Sequence, residues 1–154
     1  MSNLKEGDKA PDIALPTDSG HQFELSSLAG KNVVLYFYPK ADTPGCTQES
    51  CEFRDTSQKF TAANTVIVGV SPDQTKAQAK FKAKFDLPFT LLADSEHKAA
   101  EDYGVWKEKS MYGKKYMGVD RTTFVIGPEG KIRKIFPKVK VEGHAEEVLA
   151  AIAD

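Results

Sequence analysis

At 154 residues the chain is long enough to bury one core and too short for two ordinary domains. Apolar residues at 40% and charged residues at 28% are a common soluble balance, and a net charge of -1 supplies no bulk attraction to nucleic acid or membrane. No run approaches the roughly 18 apolar residues of a membrane span, the first residues hold no apolar segment suited to secretion, and two cysteines are too few for a disulfide scaffold. One cytosolic domain over residues 1–154 is expected, with a small or weakly charged partner. The spacing of the two thiols then calls for a chemical explanation.

In chain order, residues 1–22 read as an irregular leader punctuated by Pro11, Pro16 and Gly20, with a short strand or turn at 23–25. Asn32-Val33-Val34-Leu35-Tyr36-Phe37-Tyr38 is a continuous apolar and aromatic run closed by Pro39, the pattern of a central strand buried on both faces. Thr43-Pro44 then predicts a helix start, Thr as N-cap and Pro at the first position, with the helix running over 44–59. Strands are predicted at 65–70 and 89–92, helices at 74–85 and 97–103. Residues 104–118 are rich in Gly, Tyr and Lys and are assigned no element. Beyond them, 122–126 and 131–136 flank Gly127-Pro128-Glu129-Gly130 as a hairpin, and 141–153 reads as an amphipathic helix. A βαβ half followed by a hairpin and a terminal helix predicts an α/β thioredoxin-like fold, a central mixed β-sheet flanked by helices.

Cys46 falls in the first turn of the helix after the central strand, where an open α/β sheet forms its ligand crevice. The thiolate is the reactive form of cysteine, and a free thiol ionises only near ~8.5, so a nucleophilic cysteine needs a positive environment. The unpaired N–H groups and dipole of a helix N-terminus supply one. Gly45 leaves this backbone open to substrate. Thr43 is expected to accept a first-turn N–H while pointing its hydroxyl proton at the Cys46 sulfur. Glu49, one turn on, carries like charge that disfavours a thiolate, so it needs a partner. Arg121 is the candidate, able to satisfy Glu49 while aiming its fork at the thiolate and at a peroxide.

Attack on an O–O bond drives negative charge onto the departing oxygen, which a guanidinium, a hydroxyl and backbone donors would stabilise. The product, a sulfenic acid on Cys46, condenses with a nearby thiol, and Cys51 is the other one in the chain. On a helix, residues 46 and 51 differ by about 140° in direction and about 7.5 Å in rise. A disulfide needs Cα atoms within about 6.8 Å, so the first turns would have to unwind for the bond to close.

The run Tyr38-Pro39-Lys40-Ala41-Asp42-Thr43-Pro44-Gly45-Cys46-Thr47-Gln48-Glu49-Ser50-Cys51-Glu52-Phe53-Arg54-Asp55 resembles the bacterioferritin-comigratory, or Q-type, branch of the peroxiredoxins. Gly69-Val70-Ser71-Pro72-Asp73, Leu87-Pro88-Phe89, Leu91-Leu92-Ala93-Asp94, Tyr103-Gly104-Val105-Trp106 and Arg121-Thr122-Thr123-Phe124 extend the likeness nearly end to end. The resemblance implies a thioredoxin-like fold, Cys46 as peroxidatic cysteine, and Pro39, Thr43 and Arg121 as its companions, with Cys51 as resolving cysteine. It also implies a hydroperoxide substrate, recycling by thioredoxin or a similar dithiol, no metal or organic cofactor, and often a monomer. Relatives often carry Ser-His in the helix after Ser-Pro-Asp, where this chain reads Lys76-Ala77-Gln78, so no role of that histidine transfers.

Plainer readings stand beside these. Cys51 could be a packed helix residue with an external thiol resolving Cys46, Arg121 a surface ion-pair partner, Glu49 a solvated helix charge, and Pro39 a strand terminator. His21, His97 and His144 lack metal-ligand spacing and read as surface or packing residues. Tyr103, Trp106, Met111, Tyr112, Tyr116 and Met117 either pack under a loop or form an apolar patch near the site. Besides a peroxidase, the alternatives are a thioredoxin-like disulfide oxidoreductase and a non-catalytic redox-sensing or protein-binding domain. The Cys-x4-Cys spacing, wider than Cys-x-x-Cys, argues against the oxidoreductase.

Overall fold

The computed structural model describes residues 4–153, so Met1, Ser2, Asn3 and Asp154 of the expected domain lie outside the described residues. A short antiparallel pair, β1 (Ala14–Pro16) with β2 (Gln22–Glu24), precedes the main sheet and gives regular structure to part of the leader expected to be irregular. A turn of 3-10 helix at Leu25–Leu28 follows.

The apolar run becomes strand β3 (Asn32–Phe37), and its alternation sends side chains into two different cores. Val33, Leu35 and Phe37 enter one cluster, with Val68, Val70, Tyr103 and Phe124. Val34, Tyr36 and Tyr38 enter the other, with Cys46, Phe53, Phe60 and Phe81. Burial on both faces is why the run carries no polar alternation, and each such side chain contributes about 1.5–3 kcal/mol.

Around β3 the sheet is completed by β4 (Thr65–Ser71), β5 (Thr90–Ala93), β8 (Thr122–Ile126) and β9 (Ile132–Phe136), in the order β5-β4-β3-β8-β9. The pairs β3·β4 and β4·β5 are parallel, whereas β8 runs antiparallel to both β3 and β9. Helices α1 (Pro44–Ala62), α2 (Thr75–Phe85) and α4 (His144–Ala153) contribute to the core on one face, and α3 (Lys98–Asp102) to that on the other. This is the mixed, helix-flanked α/β arrangement anticipated from the alternation of elements.

The Gly, Tyr and Lys-rich stretch, to which the sequence pattern assigns no element, forms another hairpin, β6 (Trp106–Met111) with β7 (Lys114–Val119). Most of its side chains are exposed, so no buried face imprints an apolar period on the sequence. The local signal was the turn itself. Tyr112 and Gly113 both adopt positive φ, 53° and 78°, as a two-residue loop with the twist of a hairpin requires.

Candidate active site

Because Phe37 pairs with Thr122, the C-terminal end of β3 and the start of β8 lie side by side, which brings Arg121 to the N-terminus of α1. Tyr38 still donates its N–H to the Val70 carbonyl at 2.9 Å. Pro39, partly buried, has no N–H to continue the ladder and ends it there. The loop beyond is held by Asp73, whose Oδ2 accepts from the Ala41 N–H at 2.7 Å and from Ser71 Oγ at 2.6 Å.

Thr43 departs from expectation. It is extended (φ -98°, ψ 156°), and its carbonyl accepts the Thr47 N–H at 2.8 Å, but its hydroxyl makes no cap bond. The hydroxyl donates instead to the Lys40 carbonyl at 2.8 Å, so its proton does not point at Cys46. Asp42 at φ 60° turns the chain back and brings that carbonyl within reach. With Pro44 lacking an N–H, the start of α1 presents its first-turn amides with no side chain capping them.

Cys46 is fully buried, and Arg121 Nη2 donates to its Sγ at 3.2 Å. The same guanidinium donates from Nη1 to Glu49 Oε1 at 2.6 Å, so one planar fork spans both residues. Gly45 belongs to this fit. A Cβ there would lie 3.2 Å from Arg121 Nη2, so the missing side chain makes room for the arginine, not only for substrate.

Glu49 is buried rather than solvated, and its Oε2 has no hydrogen-bond partner. Burial outweighs the charge and hydrogen bond of Arg121 and pushes the carboxyl from its ordinary 4.5 up to about 7. A raised carboxyl stabilises the fold fully below about pH 4.5, and that contribution is lost as pH rises through about 7. We predict that between about pH 5 and about pH 8 the wild type loses up to about 3 kcal/mol relative to Glu49→Gln. Urea unfolding of both proteins reads this, and parallel pH profiles would show that Arg121 keeps the carboxyl ionised throughout.

Cys51, half-buried, lies on the same unbroken helix, and both cysteines are free thiols. Between them Ser50 is fully buried, its Oγ 2.8 Å from Tyr36 Oη. Gln78 is also fully buried. It accepts from Tyr38 Oη at 2.6 Å and donates to the Leu92 carbonyl at 2.7 Å. Neither pair is legible in the sequence, because serine and glutamine carry no burial signal of their own. The hint was that each lies on the apolar stripe of its helix, three residues before Phe53 or Phe81.

His144 is a packing residue, buried against Phe53 and Phe136 with Nε2 2.8 Å from Thr123 Oγ1. His97 stacks on Trp106 at 4.1 Å. Among the described residues no cluster of His, Cys, Asp or Glu could hold a metal. The aromatic group divides: Tyr103 is core, donating to the Pro11 carbonyl at 2.6 Å, while Met111, Tyr112, Tyr116 and Met117 are exposed.

Residues 6–135 match the AhpC/TSA family. The putative peroxiredoxin bcp of Coxiella burnetii is 50% identical over 97% of this chain and 99% of its own length. The peroxiredoxin Bcp of Bacillus subtilis is 51% identical over 98% of this chain and 96% of its own. A variant of Xylella fastidiosa PrxQ superposes with a TM-score of 0.94 at 36% identity, covering 99% and 98% of the two chains. The bacterioferritin comigratory protein of Xanthomonas campestris superposes with 0.88 at 41% identity, covering 92% and 90%. With the thioredoxin-like sheet and the helix-start cysteine, these likenesses establish that the chain belongs to the AhpC/TSA family, in the bacterioferritin-comigratory, or Q-type, branch of the thiol peroxidases called peroxiredoxins.

Proposed function

We propose that Cys46 is the peroxidatic nucleophile, and the observation that carries this is Arg121 bridging its Sγ and Glu49. The Cys46 thiolate attacks the near oxygen of a hydroperoxide, the O–O bond breaks, and the departing oxygen takes a proton to leave as water or an alcohol. Arg121 and the uncapped amides of α1 stabilise the negative charge that moves from sulfur to oxygen. Glu49 positions the guanidinium. Thr43 acts through the backbone, its hydroxyl closing the loop onto Lys40, and Pro39 stiffens the entry to that loop. The alkyl peroxide reduction named for the X. campestris relative supports organic hydroperoxides as substrates beside hydrogen peroxide.

Cys51 then attacks the sulfenic sulfur, releasing water and forming an intramolecular disulfide that thioredoxin or a similar dithiol reduces. This atypical two-cysteine cycle requires α1 to unwind over residues 46–51 and so to release Glu49 from Arg121 and Ser50 from Tyr36. Both thiols lie on one chain, so a monomer suffices, and free thiols suit the cytoplasm. The test is one equivalent of hydrogen peroxide on reduced protein, read by intact mass and peptide mapping. Wild type is expected to lose two hydrogens and yield a linked Cys46–Cys51 peptide, and Cys51→Ser to gain one oxygen on Cys46. Oxidised wild type whose Cys51 stays free would assign resolution to an external thiol.

A further inference from the structure

Among the described residues, the exposed large hydrophobic side chains are confined to one hairpin. Met111 (56% exposed), Tyr112 (98%), Tyr116 (44%) and Met117 (49%) all belong to the β6–β7 hairpin. The hairpin is a separate two-stranded sheet. Its base is fixed by Trp106 stacked on His97, by buried Val119 and by the Asp120 N–H bonded to the Val105 carbonyl at 2.8 Å. Two residues beyond β7 the chain reaches Arg121, so the hairpin springs from the edge of the peroxide site.

Pairing register decides how these groups are distributed. Lys109 faces Tyr116 and Met111 faces Lys114 on one side of the ribbon, while Glu108 faces Met117 and Ser110 faces Lys115 on the other. Apolar groups therefore lie on both faces, and Tyr112 caps the tip. A flat protein surface could cover one face only, whereas a medium that surrounds the finger covers all three.

Charge narrows the choice further. Lys115 pairs with Glu108 at 3.7 Å and Lys107 with Asp120 at 3.6 Å, but Lys109 and Lys114 have no carboxylate at ion-pair distance among the described residues. Those two share a face with Met111 and Tyr116, and a second copy of the chain would set like charges against each other there. An anionic lipid surface meets both demands. Tyrosine and methionine enter the headgroup boundary, and the lysine stems extend along it with their ammonium groups at the phosphates.

We infer that the β6–β7 hairpin docks this protein reversibly on anionic phospholipid bilayers, presenting the peroxide site to hydroperoxides of membrane lipids. The net charge of -1 conceals this, because it averages a locally basic finger over the whole chain. The choice of lipid hydroperoxides rests on the peroxidase reading above; the docking does not.

The test is co-sedimentation of the full-length protein with phosphatidylcholine vesicles, with and without phosphatidylglycerol. Binding is expected only with phosphatidylglycerol, to weaken with added salt, and to fall about fivefold per lysine removed in Lys109→Ser and Lys114→Ser. Tyr112→Ser should weaken it as well. In the same variants, consumption of dissolved hydrogen peroxide should be unchanged while reduction of phospholipid hydroperoxide in the vesicles falls with binding. No binding by wild type, or binding indifferent to the hairpin substitutions, overturns the inference. Slower thioredoxin-coupled turnover of hydrogen peroxide in the variants, with vesicle binding unaltered, overturns it in favour of a reductant site. Vesicle binding by a protein that consumes no peroxide would leave the docking intact and remove the peroxidase reading instead.

Discussion

Cys46→Ser is expected to reduce peroxide turnover with thioredoxin, thioredoxin reductase and NADPH to the background of the mixture. A serine hydroxyl in the same place would still meet Arg121, but it is a far weaker nucleophile than a thiolate toward an O–O bond. Cys51 cannot take over, because the Arg121 fork is directed at position 46 and Glu49 and not at Cys51. The substitution exchanges one atom in a well-packed site, so thermal unfolding close to that of wild type should show that chemistry, not folding, was lost. Full turnover in Cys46→Ser would end the proposed mechanism.

Arg121→Ala should slow the first oxidation of Cys46 by about two to three orders of magnitude, the usual cost of removing one fixed donor from a developing negative charge. The loss should appear in the second-order rate with peroxide, measured as a single turnover, because the guanidinium acts before Cys51 is involved. Arg121→Lys separates charge from geometry. An ammonium retains the charge but cannot span Cys46 Sγ and Glu49 Oε1 in one plane, so its rate should lie between the two. Alanine also leaves Glu49 buried without its partner, and a folded far-ultraviolet spectrum is the necessary control. An unchanged rate in folded Arg121→Ala would make the arginine a purely structural ion-pair partner.

The central strand, the helix carrying both cysteines and the alternation of elements were legible from residues alone. Each depends on a local pattern: an unbroken apolar run, a Thr-Pro start, and short apolar runs that alternate with helical stretches. The β6–β7 hairpin was not legible, since a ribbon exposed on both faces leaves no period to read.

For the site, the sequence determined the chemistry at hand: a thiol at a helix start, a second thiol five residues on, and a carboxylate in need of a cation. Tertiary structure decided which groups meet. The antiparallel return of β8 beside β3 sets Arg121 against Cys46 across 75 positions of sequence, and the turn at Asp42 takes the Thr43 hydroxyl to Lys40 instead of the sulfur. It also decided that Glu49 would be buried with one oxygen unpaired, and that Ser50 would be pinned by Tyr36. Residue type limits what a side chain can donate or accept, whereas its partner and its solvation depend on distant segments that meet only when the sheet has formed.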